Sequence, residues 1–502
     1  MRIFLSGPMG AGKTTAGRAL ASALGLRFVD LDEAIEARHG AIESIFAQRG
    51  EGGFRALEGE LVRELIGEEN LCLALGGGTV CVYETRKLLL QSGLLFTLLA
   101  DVRTLSERVV RDQSDVEKTA RPLLAGGDVA SRLRTLLRER TDAYGECHAS
   151  IDASAGTETV VRQLLARVQD RPIGVFLGRR SYSVDIGWGI RERRPEGFEV
   201  ADQNTARYAR RPHLLDAGEA HKELSAVEAI WDAALARGVD RAGRLIAVGG
   251  GVVGDLTGFA AATLLRGVEF GLVATSIIAM VDSSVGGKTG FNRAGGKNLV
   301  GAFHQPSFVY CDIETLQTLP DDEYRAGFAE VVKSAWLAGD DDVTFLESQA
   351  DAIRQREKRA IEEAIRRSIA LKAKVVGEDE RERGQRAVLN LGHTLGHAFE
   401  AARGLGSLGH GDAVALGLVA AGQLAHARSA MTRESQQRLE RLLEALGLPV
   451  DYEGRLGPEL LPLLAADKKR QGGRVRFVVP GAPGEVGFAM LTPDEILTAA
   501  SR

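Results

Sequence analysis

The chain is poor in cysteine, and its four thiols (Cys72, Cys81, Cys147, Cys311) are scattered with no C-x-x-C pair. That spacing excludes a disulfide scaffold and a thiolate knuckle, and fits reduced thiols in a cytosol. No apolar run approaches the length of a membrane span. The N-terminal MRIFLSG breaks at once into glycines without an apolar h-region or cleavage site, so it does not read as a signal peptide. Net charge is only -5, which argues against nucleic acid or an anionic membrane as the main partner. Compact H-E-x-x-H spacing, internal repeats and long Pro- or Ser-rich linkers are all missing. With 44% apolar and 26% charged residues over 502 positions, the chain is expected to fold into roughly two to four packed domains.

Glycine is abundant instead: 60 residues, clustered in GPMGAGK, LGGGT, VGGGVVGD, SSVGGKTG and RAGGKN. Glycine concentrated at strand–helix turns suggests backbone approaching phosphates. In the first cluster Gly7, Gly12, Lys13 and Thr14 match G-x-x-x-x-G-K-[ST], after the apolar strand RIFLSG and before the helix TAGRALASALG. The loop around Gly10 and Gly12 and the helix start at Thr15 would cradle nucleotide phosphates. Lys13 would add a point charge, and Thr14 would ligate Mg²⁺. In FVDLDEAIE, Asp30 and Asp32 are expected to alternate along a strand and share its ligand-facing edge. One would act on an acceptor hydroxyl and the other would hold Mg²⁺ through water; a helix-capping role is the bland alternative. Gly76, Gly77 and Gly78 would let a substrate lie against the main chain. GEGGFRALEGE supplies Arg55 and Glu58, and RERTDAY supplies Arg140. The polar stretch RDQSDVEKTARPLL reads as a lid, with Arg121 closing on the transferring phosphate.

The later chain first alternates strands and helices. Gly249, Gly251 and Gly254 fit G-x-G-x-x-G, although the acid expected further on is only Glu269, in an apparent strand. Asp282, Lys288, Lys297 and Asn298 follow on glycine loops, with Arg266 just upstream; such converging cations suggest a phosphorylated, anionic substrate. From LPDDEYRAGFAEVVK onward the pattern is mostly helical and offers Lys372, Glu382, Arg386, Asn390 and, near the end, Lys468 and Lys469. RAVLNLGHTLGHAFEAARGLGSLGHGD holds three of the nine histidines. His393 and His397, four apart on a helix, share a face, and the glycine-broken loop lets His410 fold back. Asp412 would cap the following helix. Glu330, with Lys333 three residues on, completes a two-His, one-carboxylate set: Glu330, His393 and His410 as ligands of a divalent metal, His397 left for acid–base work.

These motifs carry two resemblances. GPMGAGKTT, FVDLDEAIE, AIESIFAQRGEGGFRALE, LALGGGTV, ARPLL and RERTDAY resemble shikimate kinase over residues 1–168. The resemblance implies a parallel sheet with helices on both sides and ATP-dependent phosphorylation of the shikimate 3-hydroxyl. It places Asp32, Arg55, Gly77, Gly78 and Arg140 around shikimate, the two arginines on its carboxylate. GGGVVGDLTGFAAATLLRGV, VDSSVGGKTGFN, GGKNLVGAFHQP, TLPDDEYRAGFAEVVK, KAKVVGEDERERGQRAVLNLGHTLGHAFEA and GHGDAVALG resemble 3-dehydroquinate synthase. That implies a Rossmann-like α/β domain (173–318) and a mostly helical domain (319–502), with NAD⁺ between them. It also implies Zn²⁺ or Co²⁺ on Glu330, His393 and His410, and 3-deoxy-arabino-heptulosonate 7-phosphate as substrate.

By the same resemblance Glu219, Lys222, Gly249, Gly250, Gly251, Thr275 and Ser276 belong to the NAD side, with Asp202 and Asn204. Asp255, Asp282, Lys288 and Lys297 are shared by cofactor and substrate. Arg266, Asn298, Lys333, Lys372, Arg386, Asn390, His397 and Lys469 surround the substrate. The implied chemistry is redox-neutral, with transient oxidation, loss of phosphate, return of the hydride and an aldol closure, in which His397, Lys288 and Lys333 shuttle protons and stabilise the enolate charge, with Lys372 and Arg386 also counted as catalytic. Three departures stand out. The segment from Asn204 to Asp216 is short by about a helix, Ser276 stands where threonine is common, and Asp412 where glutamate is common. A histidine, His148, also follows Cys147 and is expected to be peripheral. The expectation is therefore a cytoplasmic fusion with two independent sites acting on small molecules, pairing with a second copy through its later half. Rivals are another NAD- and zinc-dependent sugar-phosphate cyclase or polyol dehydrogenase in the later half, or one half serving as a non-catalytic regulator.

Overall fold

A computed structural model describes residues 1–114, 128–294, 296–402, 408–452, 454–465, 470–471 and 473–501. The expected lid residue Arg121, and Lys468 and Lys469, lie outside the described residues. The chain forms two compact units, Met1–Ser183 and Val184–Arg502.

In the first unit five strands lie in the order Arg27–Asp30, Leu71–Ala74, Arg2–Ser6, Leu94–Leu99, Ala149–Asp152. Every neighbouring pair is parallel. These strands read as short apolar runs because helices cover both faces; Ile3, Phe4, Leu5, Leu71, Leu73 and Phe96 are fully buried. Successive connections leave the central strand Arg2–Ser6 in opposite directions, so the loop at its C-terminal end sits where the strand order reverses, the usual ligand crevice of an open α/β sheet. The helix Lys13–Leu24 starts there. RDQS, the start of the expected lid, instead closes the helix Val102–Ser114.

The second unit begins with a parallel sheet in the order Tyr182–Gly187, Phe308–Asp312, Glu269–Ala274, Arg244–Gly249, Phe198–Asp202, His213–Leu215. Only a 3₁₀ turn, Ala206–Tyr208, separates the last two parallel strands, so the segment that looked a helix short in sequence does run without one. Glu269 opens its strand and pairs with Arg244 of the neighbouring strand at 2.6 Å, at the opposite end of that strand pair from Gly249. An antiparallel hairpin, Lys288–Arg293 with Gly296–Phe303, then projects ahead of the helices. Among these are Asp321–Ala338, Lys358–Glu378, His393–Ala402 and His410–Ala427. The last is buried nearly all round, which fits its almost uninterrupted apolar sequence. Asp412 does not cap it. The helix starts two residues earlier, after Gly409, and the Asp412 carboxylate takes two bonds from Arg325 at 2.7 and 3.0 Å. Arg474–Pro480 closes the unit as the middle strand of a small antiparallel sheet.

Candidate active sites

The kinase-type loop needs glycine where its backbone is left-handed or crowded. Gly10 sits at φ 80°, and a Cβ on Gly7 would fall 2.3 Å from the Leu98 carbonyl oxygen. The Lys13 ammonium donates to the carbonyls of Gly7 and Pro8 at 2.9 and 3.1 Å. Thr14 donates its hydroxyl to Asp30 at 2.6 Å. The strand ends at Asp30, so Asp30 and Asp32 do not alternate along it. Asp30 is the N-cap of the helix Leu31–His39, accepting the Asp32 and Glu33 N–H groups, while Asp32 stands in that helix's first turn. Capping the helix leaves Asp30 one oxygen for Thr14 and turns Asp32 inward.

Around Asp32 a buried cluster forms. Glu58 takes a bond from Arg55 at 2.6 Å and another from Thr79. Burial, then Glu58 and Asp30, push the Asp32 carboxyl up to about 7. The three glycines have unequal roles. A Cβ on Gly76 would lie 2.4 Å from Glu58 Oε1 and 2.8 Å from Asp32 Oδ1, and one on Gly78 would lie 2.1 Å from Arg55. These two admit side chains of the protein. A Cβ on Gly77 would meet nothing closer than 3.7 Å, and its carbonyl accepts from Arg140 at 2.8 Å and from Tyr144. Thr15, Asp32, Arg55, Gly77, Gly78 and Arg140 all line one cavity of about 770 Å³ with the loop around Gly10, Gly12, Lys13 and Thr14. Arg108, which the sequence reading passed over, lines it too and approaches the Gly10 carbonyl at 3.5 Å. His148 is not among the lining residues. It accepts the Leu95 N–H, and burial pushes it down to about 4.

The second unit brings the expected metal ligands together from three different helices. Ligating atoms of Glu330, His393 and His410 lie within 4.8 Å of one another. His393 Nε2 is 3.2 Å and His410 Nε2 3.5 Å from Glu330 Oε1, and Lys333 Nζ is 2.5 Å from Glu330 Oε2. The Glu330 carboxylate is 1% exposed, and neither oxygen has a hydrogen-bond partner among the described residues. A buried carboxylate held only by ion-pair contacts is costly, and a divalent cation among these three donors would satisfy it. Burial opposes charge on His410, yet Glu330 and Glu400 hold its pKa up to about 10. His397 stands beside both, its ring 5.3 Å from His393 and 6.0 Å from His410. Glu400, which the sequence reading missed, completes the helix face at i, i+4, i+7 from His393. It is buried and accepts from Lys297 at 3.2 Å.

Further cations converge through the hairpin. Lys288 reaches Glu382, which also accepts from Asn390 at 2.7 Å. Lys372 contacts Asp282 at 2.5 Å; burial would raise this carboxyl, but Lys372 holds it down to about 2. Arg386 is buried on the Gly286 carbonyl. Arg266 and the preceding Leu265 are both left-handed, at φ 71° and 51°. Two such residues together cost about 1–3 kcal/mol each and mark the turn as a functional candidate. Asn298, also left-handed at φ 50°, donates its N–H to Asn292 at 2.8 Å.

On the sheet side the helix Gly251–Thr263 opens at Gly250, directly after the strand that ends in Gly249. Lys222 pairs with Asp255 at 2.5 Å, and burial leads in raising Asp255 to about 6. Glu219 accepts from Asn292 at 2.8 Å. Thr275 donates its N–H to Gly249 O at 3.1 Å, and the Ser276 hydroxyl oxygen accepts the Ala279 N–H at 3.3 Å. Asp202 caps its own turn, accepting the N–H groups of Asn204 and Thr205 at 2.9 Å.

Comparison with known proteins fits this geometry. Residues 213–326 match the model of the 3-dehydroquinate synthase N-terminal domain and 327–470 that of its C-terminal domain. The 3-dehydroquinate synthase of Synechocystis sp. (strain ATCC 27184 / PCC 6803 / Kazusa) is 44% identical over 290 residues, 57% of this chain and 80% of that protein. The chain belongs to the 3-dehydroquinate synthase family. Residues 9–169 match the shikimate kinase model, so a shikimate kinase domain is fused ahead of the synthase, and the chain joins a phosphotransferase and a lyase of aromatic biosynthesis. Two solved structures resemble the synthase part. One is a 2-deoxy-scyllo-inosose synthase complexed with carbaglucose-6-phosphate, NAD⁺ and Co²⁺ (25% identity, 66% of this chain and 99% of that one, TM-score 0.60). The other is 2-epi-5-epi-valiolone synthase from Streptomyces hygroscopicus subsp. jinggangensis 5008 with NAD⁺ and Zn²⁺ bound (28% identity, 63% and 95%, TM-score 0.57). The relatives closer in sequence are 3-dehydroquinate synthases, which favours neither another cyclase nor a dehydrogenase here.

Proposed function

We propose that the first cavity transfers a phosphoryl group from Mg²⁺-ATP to the 3-hydroxyl of shikimate. Lys13 and the N–H groups of the Gly10–Thr15 turn hold the phosphates, and Thr14, steered by Asp30, faces Mg²⁺. Arg55 and Arg140 grip the substrate carboxylate across Gly77 and Gly78. Asp32, poised near neutrality, takes the hydroxyl proton. Arg121, outside the described residues, keeps the role of phosphate-binding cation that the resemblance to shikimate kinase implies.

We further propose that the second unit converts 3-deoxy-arabino-heptulosonate 7-phosphate to 3-dehydroquinate and phosphate. Glu330, His393 and His410 hold Zn²⁺ or Co²⁺. Glu219, Lys222, Gly249, Gly250, Gly251, Thr275 and Ser276 hold NAD. When bound, the metal polarises an alcohol oxygen and the nicotinamide takes up and returns hydride. Arg266, Lys288, Lys297, Asn298, Asn390 and Lys469 bind the anionic substrate. Lys333 and Lys372, fixed by Glu330 and Asp282, stabilise negative charge developing next to the reacting carbon, and Arg386 braces the turn at Gly286. His397 moves the proton. The observation that carries this reading is the buried Glu330 carboxylate, paired with Lys333 on one oxygen and facing two imidazole nitrogens with the other.

The domain division 1–168, 173–318 and 319–502, a cytoplasmic location and a homodimer formed through the synthase half belong to the same reading. Four free cysteines support the location, as does the lack of a helix long and apolar enough to cross a membrane among the described residues. Incubating the purified chain with the heptulosonate phosphate, catalytic NAD⁺ and zinc should release phosphate without accumulating NADH. Accumulation of NADH would favour a dehydrogenase, and silence of either activity would reduce that half to a binding module.

A further inference from the structure

His410 presents its two ring nitrogens to two different carboxylates. Nε2 lies 3.5 Å from Glu330 Oε1, and Nδ1 lies 3.5 Å from Glu400 Oε2. A neutral imidazole carries one N–H, so a nitrogen that ligates a metal requires that proton on the other nitrogen. Glu400 sits where the Nδ1 proton would point. It is 8% exposed, it belongs to the helix that carries His393, and its second oxygen accepts from Lys297 of the hairpin at 3.2 Å.

A rival arrangement exists, because His397, Glu400 and His410 also bring potential ligand atoms within 4.8 Å of one another. Hydrogen bonding separates the two. Glu400 is engaged on one oxygen by Lys297 and on the other by His410 Nδ1, whereas Glu330 Oε1 faces the Nε2 atoms of both His393 and His410, at 3.2 and 3.5 Å. The carboxylate oxygen that two imidazole nitrogens share is the one placed to join them as a ligand; the one tied to the far nitrogen of His410 is placed to orient it.

We propose that Glu400 is a positioning residue, which fixes the Nδ1–H tautomer of His410 so that Nε2 faces the metal, and which ties that imidazole to Lys297. The proposal rests on the assignment of Glu330, His393 and His410 as the metal set. Outer carboxylates of this kind change metal affinity by roughly 10–100-fold.

The test is metal binding by the full chain, stripped with a chelator and kept free of nucleotide. Zn²⁺ affinity is read by competition with a chromophoric chelator, and ligand geometry by the visible absorption of bound Co²⁺; His393→Ala gives the background. Glu400→Leu should weaken Zn²⁺ binding by about 10–100-fold while the Co²⁺ bands keep their position and intensity. Glu400→Gln, which keeps an acceptor oxygen, should lose less and guards against a folding defect in the leucine variant. Unchanged affinity in both variants would overturn the proposal. A Co²⁺ spectrum altered as for a lost ligand would overturn it in favour of direct ligation. If the unsubstituted chain bound no more metal than His393→Ala, the metal assignment itself would fall.

Discussion

Glu330 and Lys333 stand one helical turn apart, and their carboxylate oxygen and ammonium meet at 2.5 Å with both side chains buried. Burial by itself would raise Glu330; Lys333, then His393, hold it well below the usual carboxylate range. Removing one member of such a pair strands the other, at about 3–5 kcal/mol. Lys333→Met should therefore lower the thermal midpoint of the metal-stripped second unit by several degrees. Added Zn²⁺ should restore part of the loss, because a bound cation re-pairs the carboxylate. Calorimetry with and without zinc measures both effects. A variant as stable as the unsubstituted protein, or one indifferent to zinc, would contradict this account.

Two compact units with separate clusters should fail separately. Lys13→Ala removes the loop's point charge and should cut shikimate-dependent ADP formation by at least about 100-fold, a loss typical of one transition-state charge contact. His393→Ala removes a proposed metal ligand and should abolish phosphate release from the heptulosonate phosphate. Each variant should keep the other activity within about twofold, a difference well under 1 kcal/mol. Loss of both activities from either change would rule out independent sites.

Asp32 supplies a pH dependence with a definite sign. Its carboxyl is raised from 3.8 to about 7 by burial, then by Glu58 and Asp30. A raised carboxyl favours the protonated form in the folded state. The relative stability this provides is fully present below pH 3.8 and is lost as pH rises through about 7. Asp32→Asn should accordingly melt higher than the unsubstituted chain at pH 8, with the advantage gone at pH 4. As the proposed base, Asp32 must be ionised, so kcat/KM for shikimate should rise with pH through an apparent pKa near 7, and Asp32→Asn should lose about 10²–10⁴-fold in rate. Glu58→Gln removes one neighbouring charge and should move the limb to lower pH. A profile flat from pH 5 to 9 would remove Asp32 from the base role.

Much of this was legible in the chain because its signals are local. The phosphate loop, the i, i+4 pair His393/His397 and the i, i+3 pair Glu330/Lys333 follow from helix and turn geometry alone. The errors came where an element boundary decided the outcome. Asp30 and Asp32 look like alternating strand residues, but helix capping ends the strand at Asp30 and sends Asp32 inward. Asp412 looks like a cap, but Gly409 starts the helix and Arg325 claims the carboxylate. Glu400 was within reach of the same reasoning, since i+7 continues the histidine face; an acid near a helix end simply resembles a solvated charge. That Gly76 and Gly78 make room for Glu58, Asp32 and Arg55 could not be read from sequence, because those partners arrive from other elements.

Gly78 offers the sharpest check on how the kinase cleft is built. A Cβ there would lie 2.1 Å from one Arg55 nitrogen. The obstructing atom is the far end of a flexible side chain, so the backbone can stay while the guanidinium swings away from Glu58. Gly78→Ala should therefore fold and bind ATP normally but misplace the cation proposed to hold the shikimate carboxylate. Losing one charge-assisted pair costs about 1.5–3 kcal/mol, which corresponds to a rise in the KM for shikimate of roughly 10–100-fold with a smaller change in kcat. Arg55→Ala should show a loss of the same size, and the double variant should add little, because both changes remove one contact. Additive losses would mean that Gly78 serves the substrate directly rather than through Arg55.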